Sequence, residues 1–259
     1  MRNRQTYERA DVVGRYAIAT ELFGAEQALL SRWAPRLGEW SMLDLGVGGG
    51  RTTLHFAPLA QRYVGTDYAQ GMVQACRERF RDQPRWQFEH CDARDMKRFD
   101  EASFDLVLFS FNGLDYIPHE DRLKALREIR RLLKPRGIFA FSAHNLNAVG
   151  YPLRWRRTGG ISRLPADLLR WTLLRLYNAR TLLRIANAPH ARINDGTYRF
   201  GLQTYYIRPR AQLAQLEAAG FDSIEIFAQG TGEDLTKNPD NQDAAPYYVC
   251  HRADERHHG

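Results

Sequence analysis

Residues 43–53, LDLGVGGGRTT, join a short apolar run to a turn carrying Gly46, Gly48 and Gly50. Few arrangements accommodate that order. A buried strand followed by bare backbone and then a helix lets main-chain N–H groups approach a ligand closely, and the helix start favours negative charge. The rest of the chain supplies the setting, because strand-like and helix-like stretches alternate along it. Strands are expected at about 41–45, 61–66, 86–91, 104–111 and 138–143, with FDSIEIFA and PYYVCHR as the last two. Helical spacing appears at about 7–34, at 71–80, in HEDRLKALREIRRLL before Pro135 and Gly137, and in AQLAQLEAA before Gly220. The pattern predicts an α/β fold: a seven-stranded, mostly parallel, doubly wound sheet with helices on both faces.

A chain of 259 residues with 44% apolar content and thirty Phe, Trp and Tyr side chains can bury a large core, which excludes a disordered segment. We expect one domain: a helical cap over 1–38, a cofactor-binding core over 39–144, a lid insertion over 145–204, and a closing helix and two strands over 205–252. No apolar run reaches the roughly 20 residues that span a bilayer, and the opening MRNRQTYERA lacks the apolar middle of a signal peptide, so the expectation is cytoplasmic. Cys76, Cys91 and Cys250 are far apart with no zinc spacing, which predicts reduced structural thiols. The terminal HRADERHHG reads as a solvated end rather than a metal site. The net charge of +7 is local. Residues 145–200 hold ten arginines and two aspartates, a net +8, so the excess belongs to the insertion.

The glycine spacing is GxGxG, not the GxGxxG of dinucleotide sites, and Arg51 follows. In DLGVGGG, Asp44 to Gly50, the chain resembles the class I S-adenosylmethionine-dependent methyltransferases, whose first strand ends in DxGxGxG. The likeness covers about 40–144 and resumes at 205–252. It implies S-adenosylmethionine as cofactor and assigns Asp44, Gly46, Gly48 and Gly50 to its loop. In VGTDYAQGM, Asp67 would receive both ribose hydroxyls, beside Tyr68, and Met72 would pack on the adenine. In CDAR, Asp92 and the Ala93 N–H would read the adenine edge. Ser110 lies where the fourth strand meets the methionine end of the donor. The N-terminal Tyr7, Arg15 and Tyr16 have the spacing of a segment folded over it.

A sulfonium methyl is already activated, so transfer needs alignment and exclusion of water, plus a base for some nucleophiles. His144, at the end of the fifth strand, is the first candidate base, with placement of Asn145 as its alternative role. Asp115 and Tyr116 are further catalytic candidates, and Asn112, Asn145, Tyr205 and Tyr206 are candidates for the acceptor. Strand alternation sends only one of the two tyrosines inward. His119 is assigned to helix entry. The stretch SFNG stands where base-methylating relatives carry (N/D)PP(Y/F), and neither a Pro-Cys nucleophile nor a magnesium-binding acidic triplet is present. These absences favour a metal-independent O-methyltransferase acting on a hydroxyl or carboxyl of an anionic, sugar-like or natural-product small molecule. Alternatives are small-molecule N-methylation, an RNA methyltransferase using the basic insertion, and a non-catalytic binding module. Within the insertion, 165–188 should be a helix apolar nearly all round, needing cover from its own domain, a second subunit, a lipid-like acceptor or a membrane surface. Its arginines suit carboxylate or phosphate and point to an anionic acceptor; the leucines beside them disfavour nucleic acid.

Overall fold

The computed structural model describes residues 2–254; the histidines near the chain end lie outside the described residues. Seven strands form one sheet: β1 (Ser41–Leu45), β2 (Arg62–Asp67), β3 (Trp86–His90), β4 (Phe104–Phe109), β5 (Leu133–Ser142) and, after a two-stranded hairpin β6 (His190–Ile193) and β7 (Thr204–Ile207), the closing pair β8 (Phe221–Phe227) and β9 (Tyr247–Arg252). The order is β3-β2-β1-β4-β5-β9-β8. Strands β1 to β5 are parallel, and β9 lies antiparallel between β5 and β8. Helices α1 (Arg2–Tyr7), α2 (Ala10–Ala17) and α3 (Gly24–Leu37) precede the sheet, and α4 (Thr53–Phe56), α5 (Gln70–Arg79) and α6 (His119–Leu132) connect its strands. The insertion contributes α7 (Gly150–Leu153), α8 (Leu164–Leu182) and α9 (Thr197–Phe200), and α10 (Pro209–Ala218) leads into β8.

Strand alternation divides the core between the two faces of the sheet. Leu43, Val64, Val107 and Phe139 pack with α6 residues such as Leu126 and Ile129. Their neighbours Met42, Tyr63, Leu106 and Ile138 face the other way, onto Leu29, Trp33 and Leu37 of α3. The sequence pattern runs nearly without polar interruption because both faces are covered, as expected of parallel strands. The strand order reverses between β1 and β4, which opens a crevice at their carboxyl ends.

Four expectations are corrected. The opening helical region is divided, with residues 18–23 non-helical between α2 and α3. LKPRG is not a helix stop followed by a loop: α6 ends at Leu132, and Leu133 already pairs with Phe104 as the start of β5. The helix placed at 165–188 ends at Leu182 and gives way to a single turn at Ile185–Asn187. The insertion is not wholly helical, since β6 and β7 pair across the boundary placed at 204 and so extend it to Ile207.

Candidate functional site

The crevice contains a cavity of about 470 Å³. The β1 loop forms its floor. Gly46 and Gly48 line it with φ of +62° and +56°, values that L side chains rarely adopt. A Cβ on Gly48 would stand 2.9 Å from the Tyr16 ring, so the loop and α2 need each other's surface. Gly50 has another role. It is not part of the cavity wall, and a Cβ there would lie 2.3 Å from the Phe80 ring. Asp44 is also off the cavity: its buried carboxylate accepts hydrogen bonds from Thr52 Oγ1 (2.6 Å) and Tyr63 OH (2.7 Å), and burial pushes its pKa up to about 6. Asp44 and Gly50 therefore support the loop from behind the cavity wall.

Asp67, at the end of β2, is on the wall. Its Oδ2 accepts from Gly48 N (3.0 Å) and its Oδ1 from Ala69 N (2.8 Å). Burial raises its pKa to about 6, and those two N–H donors work against the rise. Each oxygen retains a lone pair for a further donor. Met72 and Ala93 line the same space. Tyr68 lines it too, and its hydroxyl is buried without a hydrogen-bond partner. Asp92 is reached by the cavity, but its carboxylate accepts from Arg94 N, Nε and Nη2. Burial pulls its pKa upward, and the Arg94 contacts outweigh that and hold it below the ordinary range. The residues fit the donor expected from the resemblance, because the cavity offers a diol acceptor in Asp67, an apolar slot at Met72 and Ala93, and an unsatisfied buried hydroxyl.

Ser110 belongs to a network that the sequence did not suggest. Its Oγ bonds with Glu26, with Tyr247 OH (2.8 Å) and with Arg51 Nη2 (3.0 Å). Arg51 Nη2 also donates to Glu26 Oε1 at 2.7 Å. Burial would raise the Glu26 pKa, but Arg51, Ser110 and Tyr247 together hold it below normal. The network ties the β1 loop to α3, β4 and β9.

Above the floor, α1 and α2 close over the cavity. Tyr7 has ring centroids of Tyr16, Tyr68, Tyr116 and Tyr198 between 5.3 and 6.3 Å away, all edge-to-face. Its hydroxyl is buried and unpartnered. Tyr7 and Tyr16 line the cavity, whereas Arg15 does not.

Beside this belt stands a buried charge relay. His144 Nδ1 lies 2.8 Å from Asp115 Oδ2, and the His144 backbone N–H donates to the same oxygen at 2.6 Å. Asp115 Oδ1 accepts from Arg122 Nη1 (2.7 Å). Arg122 is completely buried; Gln212 and Gln215 accept its other N–H groups, and its guanidinium lies over the Tyr205 ring at 4.9 Å. The His144 side chain keeps 18% of its surface exposed, against 0% for Asp115. Its Nε2 faces Asn112 Nδ2 at 3.4 Å, and Asn112 Oδ1 is buried with no partner. Tyr116, on the cavity wall, connects the two regions, its ring centroid 6.5 Å from that of His144.

The remaining candidates separate. Tyr206 packs 4.9 Å from His144 and donates to Asp195 at 3.2 Å, so it is the inward member of the pair. Tyr205 points to the other face, where its OH meets His119 Nδ1 at 2.8 Å and its ring stacks with His190; it does not face the acceptor. His119 is thus a partner of Tyr205 as well as a helix-entry residue. Asn145 is buried elsewhere: its Oδ1 accepts from Asn147 N, and its Nδ2 donates to Asn241 O. It caps the turn at Leu146–Ala148. Sequence reasoning missed Arg192. It reaches the cavity from β6, and no carboxylate pairs with it among the described residues. It missed Arg122 although a signal existed, since Arg122 shares a helical stripe with Ala125, Leu126 and Ile129.

No group of three or more His, Cys, Asp or Glu side chains suited to a metal ion occurs among the described residues. None of their helices is long and apolar enough to cross a membrane.

Comparison with known proteins agrees with the geometry. Residues 42–137 match the family model described as a methyltransferase domain. A 104-residue stretch is 38% identical to a demethylmenaquinone methyltransferase of Clavibacter sepedonicus, covering 40% of this chain and 40% of that protein. The chain therefore aligns with about two-fifths of that relative's length. Among solved structures, the CcbJ methyltransferase of Streptomyces caelestis superposes with a TM-score of 0.63 at 18% identity, over 96% of this chain and 98% of the other. A 1,6-didemethyltoxoflavin-N1-methyltransferase of Burkholderia thailandensis, solved with S-adenosylhomocysteine, superposes at 0.54 with 16% identity, over 89% and 79%. At these identities the superpositions speak for the fold.

Proposed function

Since residues 42–137 form a methyltransferase domain of the class I S-adenosylmethionine-dependent type, we propose that the chain transfers a methyl group to a hydroxyl oxygen of a small anionic acceptor, with His144 as the base. One observation carries this reading: the Asp115–His144 pair beside the cavity, with Nδ1 committed to a buried carboxylate. That bond selects the tautomer in which Nδ1 carries the proton, leaving the Nε2 lone pair to accept one. Arg122 pairs with Asp115 Oδ1 and holds the carboxylate in place. The anionic part of the proposal is supported by Arg192, an uncommitted guanidinium on the cavity wall.

When bound, the donor supplies an electrophilic methyl on a positively charged sulfur. Asp67, the Gly46–Gly48 backbone, Met72 and Ala93 would hold it. Tyr7, Tyr16 and Tyr116 line the cavity with aromatic surface and exclude water, which would otherwise compete as nucleophile. His144 accepts the hydroxyl proton as the oxygen attacks, a contribution of roughly 10²–10⁴ in rate. The similar methyltransferases named for demethylmenaquinone and 1,6-didemethyltoxoflavin support a small ring compound as acceptor.

The test uses methyl-labelled donor and fractionated small-molecule extracts, scoring label that becomes bound to an acidic compound. His144→Gln should bind the donor normally by calorimetry and lose transfer. Label on nitrogen or carbon, or full transfer by His144→Gln, would reject the O-methyl reading. Failure of the wild-type chain to bind the donor would reject the cofactor assignment.

A further inference from the structure

The outer face of α8 has no cover among the described residues. Leu168, Leu169 and Leu176 on this helix are 54%, 60% and 68% exposed, and Leu183, just past its end, is 87% exposed. At roughly 100° per residue these four share one side, opposite the buried Asp167, Leu174 and Asn178. Arg180 and Arg184 flank this apolar stripe on one edge and Arg175 on the other, all exposed. The patch has no acidic group of its own. Asp167 faces inward and accepts from Thr158, while Asp195, the other acid of residues 145–200, is engaged with Thr204 and Tyr206.

We propose that α8 is a docking face for an anionic lipid surface, lying in the interface plane with its leucines among the acyl chains and its arginines at the headgroups. Charge decides among the occupants. A second copy placed symmetrically would bring Arg175, Arg180 and Arg184 against an equally basic surface, with no carboxylate to pair them. An RNA backbone would meet leucine at the centre of the face, where a phosphate gains nothing. An anionic bilayer satisfies both halves, since apolar burial and headgroup attraction add. The helix is too polar to cross a membrane, which suits a surface position. The inference does not rest on the proposed chemistry.

The probes are sedimentation of the full chain with phosphatidylcholine vesicles and with vesicles containing about one-third phosphatidylglycerol. Binding is expected only to the anionic vesicles and should weaken as salt rises. Leu176→Asp should reduce it roughly tenfold or more, and the double variant Arg180→Gln, Arg184→Gln should abolish the preference for anionic lipid. Both should keep the wild-type thermal melt and donor binding, because these side chains are exposed. Absence of binding to anionic vesicles overturns the proposal. So does a dimer by light scattering that Leu176→Asp dissociates without any vesicle binding, and so does retention on RNA in place of vesicles.

Discussion

Asp115→Asn separates the structural and chemical duties of one carboxylate. Asp115 Oδ2 takes two N–H groups from His144, and Oδ1 takes one from Arg122, so all of its neighbours are donors. An asparagine has one accepting oxygen. Whichever way its amide turns, an N–H₂ faces either Arg122 or the two His144 donors, and the completely buried guanidinium loses its counter-charge. The neutral oxygens of Gln212 and Gln215 remain but cannot replace it. Removing one member of a buried pair costs about 3–5 kcal/mol. For a chain of this size that is a fall in Tm of roughly 6–20 °C. His144 would also lose its tautomer control, and transfer should fall by roughly 10²–10⁴. Donor affinity, measured by calorimetry below the melting range, should not change, since Asp115 does not line the cavity. His144→Gln is the companion variant: the substitution leaves Asp115 and Arg122 paired, so the melt should move little while transfer collapses. A Tm shift under about 2 °C for Asp115→Asn would refute the buried-charge reasoning. Retained transfer in both variants would refute the base.

Asp67→Ala should abolish donor binding in calorimetry. Its carboxyl titrates at about 6 in the unliganded fold against a model-compound value of 3.8, so it weakens the fold as pH rises through that window; the donor needs the ionised form, and affinity should decline below about pH 6 and level off above it. Gly50→Ala combines a φ of +82° with a Cβ 2.3 Å from the Phe80 ring, and denaturant melts should register a loss of roughly 2–5 kcal/mol. Arg192→Gln should raise KM for an anionic acceptor roughly ten- to hundredfold with kcat nearly unchanged; an unchanged KM would remove Arg192 from recognition.

The donor half of the site was legible because its residues are local. Gly46 and Gly48 follow their strand directly, Asp67 ends the next strand, and Ala93 turns out of the third, so the glycine spacing marked the loop and the resemblance to the methyltransferase motifs pointed to Asp67 and Ala93. Asp44 and Gly50 stand within the same short loop but off the cavity wall, meeting Tyr63 and Phe80. A motif specifies a loop conformation, and some of its residues serve the loop rather than the ligand. The β6–β7 hairpin was hidden for another reason: HARI and TYYI are four-residue strands separated by a turn with left-handed backbone at Tyr198, Arg199 and Phe200, too short for a period of two to stand out.

The acceptor half depended on pairs far apart in sequence. Arg122 meets Gln212 and Gln215 some ninety residues on, and Glu26 meets Tyr247 across most of the chain. Neither pairing has a local signature: the stripe of Arg122 marks it as inward-facing but does not name its partners, and nothing near Glu26 points to Tyr247 on β9. What joins them is a physical requirement: a buried carboxylate next to a reaction centre needs a fixed counter-charge, or burial would protonate it. Arg122 serves Asp115 and Arg51 serves Glu26, on opposite faces of the sheet. The prediction that follows is specific. Arg51→Met should destabilise the fold as a broken buried pair does, by about 3–5 kcal/mol, yet leave the His144 tautomer intact, so any transfer that remains should keep its wild-type pH profile. Arg122→Met should instead displace that profile, because Asp115 would lose the hydrogen-bonded counter-charge that fixes it against His144. If both variants shift the profile equally, the two networks are one, and His144 is governed by the whole buried charge distribution rather than by Asp115 and Arg122.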